Sequence, residues 1–223
     1  MMASPIRCLV TAGPTREFFD PVRFLSNPSS GRMGYALARA ARDRGWVVDL
    51  VSGPVELDPP AGVERTCVTT GEEMFQAVRE RFTRCDMLMM TAAIMDYRPR
   101  RVAERKVKKH ELEMQVEMEP VIDVLATVAA HKTHQVVVGF AAETDNLEEH
   151  ALLKLQSKNA DFMVANRIGG PDSAFGKSSN QVLVLSRTAA PFSLGPLSKD
   201  SLAVQLLDRF EKALPQTQEP LAR

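Results

Sequence analysis

Cysteine, lysine and net charge are all in short supply in this 223-residue chain, and each shortage removes a class of protein. The cysteines are three, Cys8, Cys67 and Cys85, an odd number with no CxxC pair. A disulfide framework therefore does not fit, and the thiols read as buried residues of a reducing compartment. Acidic and basic residues balance at 28 each, which leaves no overall field to draw the chain to nucleic acid or a membrane surface. No apolar run is long enough to span a bilayer, and the N-terminal MMASPIRCLV has no signal-type apolar region, so a cytoplasmic protein is expected. Lysine is absent before Lys106, which makes the few lysines candidates for placed rather than scattered charges. Standard cofactor fingerprints are missing too. There is no GxGxxG, no GxxxxGK[ST], no HExxH and no GxSxG, and the 4 histidines are scattered.

What is present alternates. IRCLVTAG, WVVDLVSG, DMLMMTAA (Asp86 to Ala93), HQVVVGFAAET and DFMVAN are short apolar runs that read as buried strands. Between them lie helical patterns. MGYALARAARDRG stops at Gly45, and TTGEEMFQAVRERF opens with Thr70 and Glu73 at capping-box spacing, with Met74, Ala77, Val78 and Phe82 on one face. PVIDVLATVAAHK reads as a helix with Pro120 near its first turn, and NLEEHALLKLQSKNA as one with Leu147, Ala151, Leu152 and Leu155 inward. SKDSLAVQLLDRFEKAL reads as a terminal helix capped by Ser198. NQVLVLSR (Asn180 to Arg187) alternates as a further strand or hairpin arm. This order predicts an α/β, three-layer Rossmann-like fold with a mostly parallel sheet. It is expected as one domain over 1–213 with a flexible tail, 214–223. The charged stretch 97–119 reads as a small two-stranded excursion, and 170–197 as a second insertion.

In such a sheet ligands bind beyond the carboxyl ends of the strands. Here those ends are TAGPTRE, SGP, TAAIMD, GFAAET and AN, whose small residues let a ligand approach the backbone. The first of them opens a loop far longer than a strand-to-helix connection needs. It carries Arg16, Asp20 and Arg23, then Asn27, Ser29, Ser30 and Gly31 just before the helix, where free N–H groups favour an anion. Ser29 or Ser30 as a plain N-cap is the simpler alternative. Lys106, Lys108 and Lys109 lie close together in RKVKK, and Lys154 and Lys158 are four apart on one helix face, where like charges repel unless an anion lies between them. A solvated face is again the simpler alternative. Together the two clusters suggest a polyanion such as a triphosphate. Asp96 is placed to hold a hydroxyl, a base edge or a magnesium shell.

The set TAGPTREFFDPVRFLSNPSSGRMGYALA, TAAIMDYRP, KVKK, VGFAAETDNLEEHALLKLQSKNADFMVAN and FGKSSNQV, in this order from about Ile6 to Ala213, resembles the phosphopantothenate–cysteine ligase family. The resemblance implies a magnesium-dependent, dimeric enzyme of coenzyme A biosynthesis. The carboxylate of 4′-phosphopantothenate would attack a nucleoside triphosphate, CTP or ATP, and cysteine would then displace the nucleotide from the acyl-nucleotide. It implies Asn27 handling the acyl-nucleotide by donating to an oxyanion, Lys106 on the triphosphate, and Arg23 on pantothenate or phosphate. It further implies Asp96, Phe140, Lys154 and Lys158 in the nucleotide pocket, with Thr91, Ala92 and Ala93 presenting backbone groups to the base. No metal ligands are implied. The homodimer would use the excursion and the Gln181–Arg187 strand. The flavin-dependent decarboxylase often fused to such ligases would be supplied as a separate protein. The chain departs from the pattern at AGPT, where many members have GGT, at Arg32, where Lys is common, and at EPVID (Glu119 to Asp123), where a run like NPDI is frequent.

Two other readings use the same residues. A Rossmann-like oxidoreductase or flavoprotein rests on fold alone and lacks the fingerprint glycines. A non-catalytic nucleotide-binding module would keep the lysines and strand ends without needing Asn27.

Overall fold

The computed structural model describes residues 4–108, 115–169 and 179–215. In chain order its elements are β1 (Arg7–Ala12), β2 (Arg16–Phe18), β3 (Phe24–Ser26), α1 (Arg32–Asp43), β4 (Val47–Ser52), β5 (Glu64–Cys67), α2 (Gly71–Phe82), β6 (Met87–Met90), β7 (Tyr97–Pro99), β8 (Met118–Pro120), α3 (Val124–Ala129), β9 (Val136–Glu143), α4 (Leu147–Ser157), β10 (Phe162–Arg167), β11 (Ser179–Ser186), β12 (Phe192–Ser198) and α5 (Lys199–Phe210). One eight-stranded sheet runs β12-β11-β10-β9-β6-β1-β4-β5. The strands from β5 across to β10 are parallel, and β11 and β12 add an antiparallel hairpin at one edge.

Parallel strands covered on both faces must be apolar on both, which is why the central runs do not alternate. Cys8, Val10, Ala12, Met87, Met89, Val136 and Val138 pack under α1 and α5. Their neighbours Leu9, Leu88, Met90 and Val137 pack under α2, α3 and α4. The three-layer expectation holds, and so does the capping box at Thr70 and Glu73. Ser198 caps α5 by accepting the Ser201 N–H.

Several local expectations do not hold. The third helix starts four residues after Pro120, because the Asp123 side chain accepts the Ala126 N–H and caps it there. Pro120 instead ends β8, opposite Tyr97, in the two-stranded excursion that the charged stretch was expected to form. Strand β5, sequence ERTC, has no apolar signal because it is the sheet edge, and for the same reason Cys67 at its end is exposed while Cys8 and Cys85 are buried. Burial drives the Cys85 thiol up to about 12, so it stays protonated and inert. On α4 only Ala151 and Leu155 are buried; Leu152 faces outward. The segment read as a second insertion contributes β12, hydrogen-bonded to β11. Lys109, the residues 170–178 and the tail from 216 lie outside the described residues.

Candidate active site

From β1 the chain moves to β4 and β5 on one side, then returns through α2 to β6 on the other. The carboxyl ends of β1 and β6 therefore send their loops apart, and a crevice opens between them. A cavity of about 520 Å³ lies there. Asn27, Ser29, Ser30, Gly31, Thr91, Ala92, Ala93, Asp96, Phe140, Lys154 and Lys158 all line it. Arg23 and Lys106 do not.

The long first loop is an ordered structure. Its β2–β3 hairpin is pinned at many points: Arg16 N–H to Thr69 O (2.8 Å), Thr15 N–H to Ala93 O (3.2 Å) and Ser26 Oγ to Thr15 O (2.7 Å). Buried Glu17 accepts the Gly71 N–H at the start of α2 (2.7 Å). Burial raises the Glu17 pKa, against that hydrogen bond. Asn27 is held at the cavity by its side-chain nitrogen, which donates to the carbonyls of Ala93 (3.3 Å) and Ile94 (3.1 Å). Two carbonyl oxygens can only accept, so this contact decides the amide orientation. The nitrogen is engaged, and Oδ1 is the polar atom left for a ligand. An oxyanion contact from this amide would require giving up at least one of these bonds.

Neither serine caps α1. Its N-cap is Gly31, with φ 72°, and no side chain bonds the first turn. Ser29 Oγ reaches only the Gly31 N–H, at 3.4 Å. The Gly31 conformation is one that L side chains rarely adopt, and a Cβ there would also meet Val55 Cγ1 at 3.0 Å. The N–H groups of Thr91 and Ala92 both donate to Thr11 Oγ1 (3.1 Å each), and that of Ala93 to Gly13 O (2.9 Å). These three donors tie β6 to β1, so the segment's contribution to the cavity is a small-residue wall rather than N–H groups.

The lysine pair also differs from its expected arrangement. Lys154 Nζ lies 2.6 Å from Glu143 Oε1, and Lys158 Nζ 3.1 Å from Asp123 Oδ2. Each charge has its own carboxylate, which relieves the repulsion at four-residue spacing without an anion between them. Asp123 belongs to the divergent EPVID run, and residues 121–125 line the cavity.

Arg23 is occupied elsewhere. Its guanidinium holds Asp20 through Nε (3.0 Å) and Nη2 (2.7 Å) and donates to Val107 O (2.5 Å). Asp20, fully buried, also accepts the N–H groups of Val22 and Arg23 at 2.8 Å and that of Val107 at 3.3 Å. This clamp fastens the charged excursion to the first loop, and it leaves Lys106, one residue away, exposed and off the cavity. Burial alone would raise the Asp20 pKa. The hydrogen bonds outweigh it and bring it from 3.8 to about 2. Because the folded value is the lower one, the stabilisation is complete above pH ~4 and is lost as the pH falls towards 2. Urea midpoints of the wild type are therefore expected to drop across that window, and Asp20→Asn to lower the midpoint at pH 7 and flatten the drop. An unchanged acid profile in Asp20→Asn would remove the clamp from the account.

Comparison with known proteins agrees with this architecture. The family model for the C-terminal domain of DNA/pantothenate metabolism flavoproteins matches residues 4–214. The chain belongs to that family. Similar proteins include the coenzyme A biosynthesis bifunctional protein CoaBC of Vibrio cholerae, 45% identical over 200 residues, covering 88% of this chain and 50% of that protein. The Bacillus subtilis counterpart is 39% identical over 212 residues, covering 95% and 52%. The chain thus spans about half the length of the curated relatives it matches. A crystal structure of the C-terminal domain of a CoaBC protein superposes with a TM-score of 0.80 at 39% identity, covering 93% of this chain and 94% of that one.

Four further residues, Arg32, Asn166, Asn180 and Lys199, line the cavity, and neither the sequence patterns nor the resemblance gives them a role. Asn166 had a signal, a polar residue closing the apolar run FMVAN. Lys199 had none, because only the β11–β12 hairpin carries the chain back to this edge of the sheet.

Proposed function

We propose that this chain joins 4′-phosphopantothenate to cysteine at the expense of a nucleoside triphosphate, CTP first and ATP as the alternative. The observation that carries this reading is the convergence, on one cavity at the turn of the strand order, of Asn27, Asp96, Phe140, Lys154 and Lys158, which come from four separate stretches of chain. Membership of the family and the likeness to the CoaBC C-terminal domain support it.

In the first half-reaction a carboxylate oxygen of the acid bonds the α-phosphorus, the bond to the bridging oxygen of the β-phosphate breaks, and pyrophosphate leaves. In the second the cysteine amine bonds the acyl carbon, the acyl C–O bond breaks, nucleoside monophosphate leaves, and the amine loses a proton. The cavity holds both reactants in one place, which is most of what such a transfer asks of a protein. Asn27 Oδ1 suits an N–H of the attacking amine, so its role would fall in the second step. Among the described residues no group of three His, Cys, Asp or Glu side chains is placed to hold a metal ion. Magnesium would come with the triphosphate and find two carboxylates at the cavity, Asp96 and Asp123, the second held by Lys158.

A homodimer belongs to the same proposal. Val22, Phe24, Leu25, Tyr97, Val102 and Val116 are exposed apolar side chains on the β2–β3 and β7–β8 sheets and their loops, and β2 packs on β7. Such a patch suits a second copy of the chain, which could bring Arg23 and Lys106 to a cavity they do not reach in their own. A monomeric mass in solution would end this part.

The deciding experiment is pyrophosphate release with phosphopantothenate, magnesium and CTP or ATP, with and without cysteine. Cysteine-dependent release with CTP is expected. Release with ATP alone would keep the reaction and change the nucleotide. A folded sample that releases nothing with any triphosphate would favour a binding module over a ligase. No helix among the described residues is long and apolar enough to cross a membrane.

A further inference from the structure

We infer that Arg32 and Lys199 form a second cationic pole of the cavity and bind a phosphate group there, remote from the lysines of α4. The identity of the phosphate carrier, nucleoside triphosphate or phosphorylated acid, rests on the function proposed above; the pole itself does not.

The two residues are the first of α1 and of α5, helices that pack side by side on one face of the sheet. Strand β12 returns to the carboxyl edge before α5 begins, so both helices start at the cavity and both point their positive ends at it. The start of α1 is bare, while that of α5 is capped by Ser198. Helices α2 and α4 carry Glu72 and Glu73, and Glu148 and Glu149, in their first turns; α1 has no acidic residue there and no side-chain cap. Asp200 in the first turn of α5 is paired with Arg39 at 2.6 Å. Lys199 Nζ is steered by Asn180 Oδ1 at 3.3 Å, and Asn180 is only 9% exposed, a buried amide that fixes where the ammonium sits. Burial, and then the charge of Arg32, push the Lys199 pKa down. Two cations held close enough to disfavour one another are stabilised by an anion between them.

Lys154 and Lys158 each face a carboxylate, so that pair is close to neutral as a unit. Arg32 and Lys199 also line a neighbouring hollow of about 370 Å³, where Asp58 is the carboxylate outside the Arg39 pair. A reaction that joins two phosphate-bearing molecules needs two separated places for phosphate, and the pair on α1 and α5 supplies one of them apart from the α4 lysines.

The test is calorimetric binding of three probes to the full chain: inorganic tripolyphosphate, CTP, and 4′-phosphopantothenate. Arg32→Gln, Lys199→Gln and the double variant are compared with the wild type, and Lys199→Arg serves as the conservative rescue. Each Gln substitution is expected to weaken at least one probe about 10- to 100-fold, the range for a lost charge-assisted hydrogen bond. Lys199→Arg should keep most of the affinity. Loss confined to tripolyphosphate and CTP would place the nucleotide's phosphates at the pole; loss confined to phosphopantothenate would place the monoester there. Wild-type affinity for all three probes in the double variant would overturn the inference, as would a wild type that binds none. A double variant that loses binding in a protein that shows no ligase turnover would leave the pole standing and remove the ligase reading. A wild type that turns over while the double variant binds normally would do the reverse.

Discussion

Asn27→Asp is expected to be more damaging than Asn27→Ala, although it is the closer match in shape. The Asn27 nitrogen sits 3.3 and 3.1 Å from the Ala93 and Ile94 carbonyl oxygens. A carboxylate in its place would set lone pairs against lone pairs at hydrogen-bond distance. It would either take up a proton to donate one bond or swing the first loop off the β6 segment. Alanine only removes the two bonds and the Oδ1 acceptor. For Asn27→Ala, product formation is expected to fall about 10²- to 10³-fold, the usual cost of one preorganised polar contact. Under the proposed reaction, single-turnover pyrophosphate release should survive, because there the amine enters only afterwards. Asn27→Asp should lower both. The check is to follow pyrophosphate and the cysteine adduct separately in the two variants. Normal turnover in Asn27→Ala would remove the residue from the mechanism. An aspartate variant as active as the alanine one would show that the amide is not held by those carbonyls.

Gly34→Ala is expected to lower both stability and substrate affinity, against the usual rule for helices. Within a helix, alanine is favoured over glycine by about 0.5–1 kcal/mol. Here a Cβ would lie 2.5 Å from Thr91 Oγ1, 2.6 Å from Ala12 Cβ and 2.9 Å from Thr11 O. None of these can give way easily. Ala12 and Thr11 end a central strand paired on both sides, and the Thr91 hydroxyl is bonded to Thr11 O. Overpacking of this kind costs about 1–3 kcal/mol, so it exceeds the propensity gain. The strain would be relieved by lifting the start of α1, which carries Ser29 to Met33 along the cavity wall. A lower urea midpoint and a raised KM are expected together. A midpoint at or above that of the wild type would mean that helix propensity wins and that the close packing at the strand turn has been overstated.

Particular residues show why some of the site was legible and some was not. Asp96 lies past the apolar strand β6 and Phe140 in the second half of β9, and strand ends are visible as places where an apolar run stops at small or polar residues. Lys154 and Lys158 were visible by spacing, but their meaning was not: Glu143 and Asp123, their partners, come from β9 and from the cap of α3. Arg23, which the resemblance implies on pantothenate or phosphate, closes a clamp on Asp20 and on a carbonyl 84 residues away. The edge strands β5 and β12 were missed because an edge strand need not be apolar on two faces, and so it loses the pattern that announces a strand.

By itself the sequence determined the layers, the parallel core and the edge of the sheet at which a ligand would sit, because hydrophobic periodicity and strand-end composition are local properties of the chain. Only the tertiary structure decided which charges meet. It set the amide of Asn27 against two carbonyls, gave the α4 lysines their carboxylates, drew Arg23 and Lys106 away from the cavity, and brought Arg32 and Lys199 to the same end of it. Those outcomes depend on strand order and on a hairpin's return, and the partners they join lie far apart along the chain, where no local pattern links them.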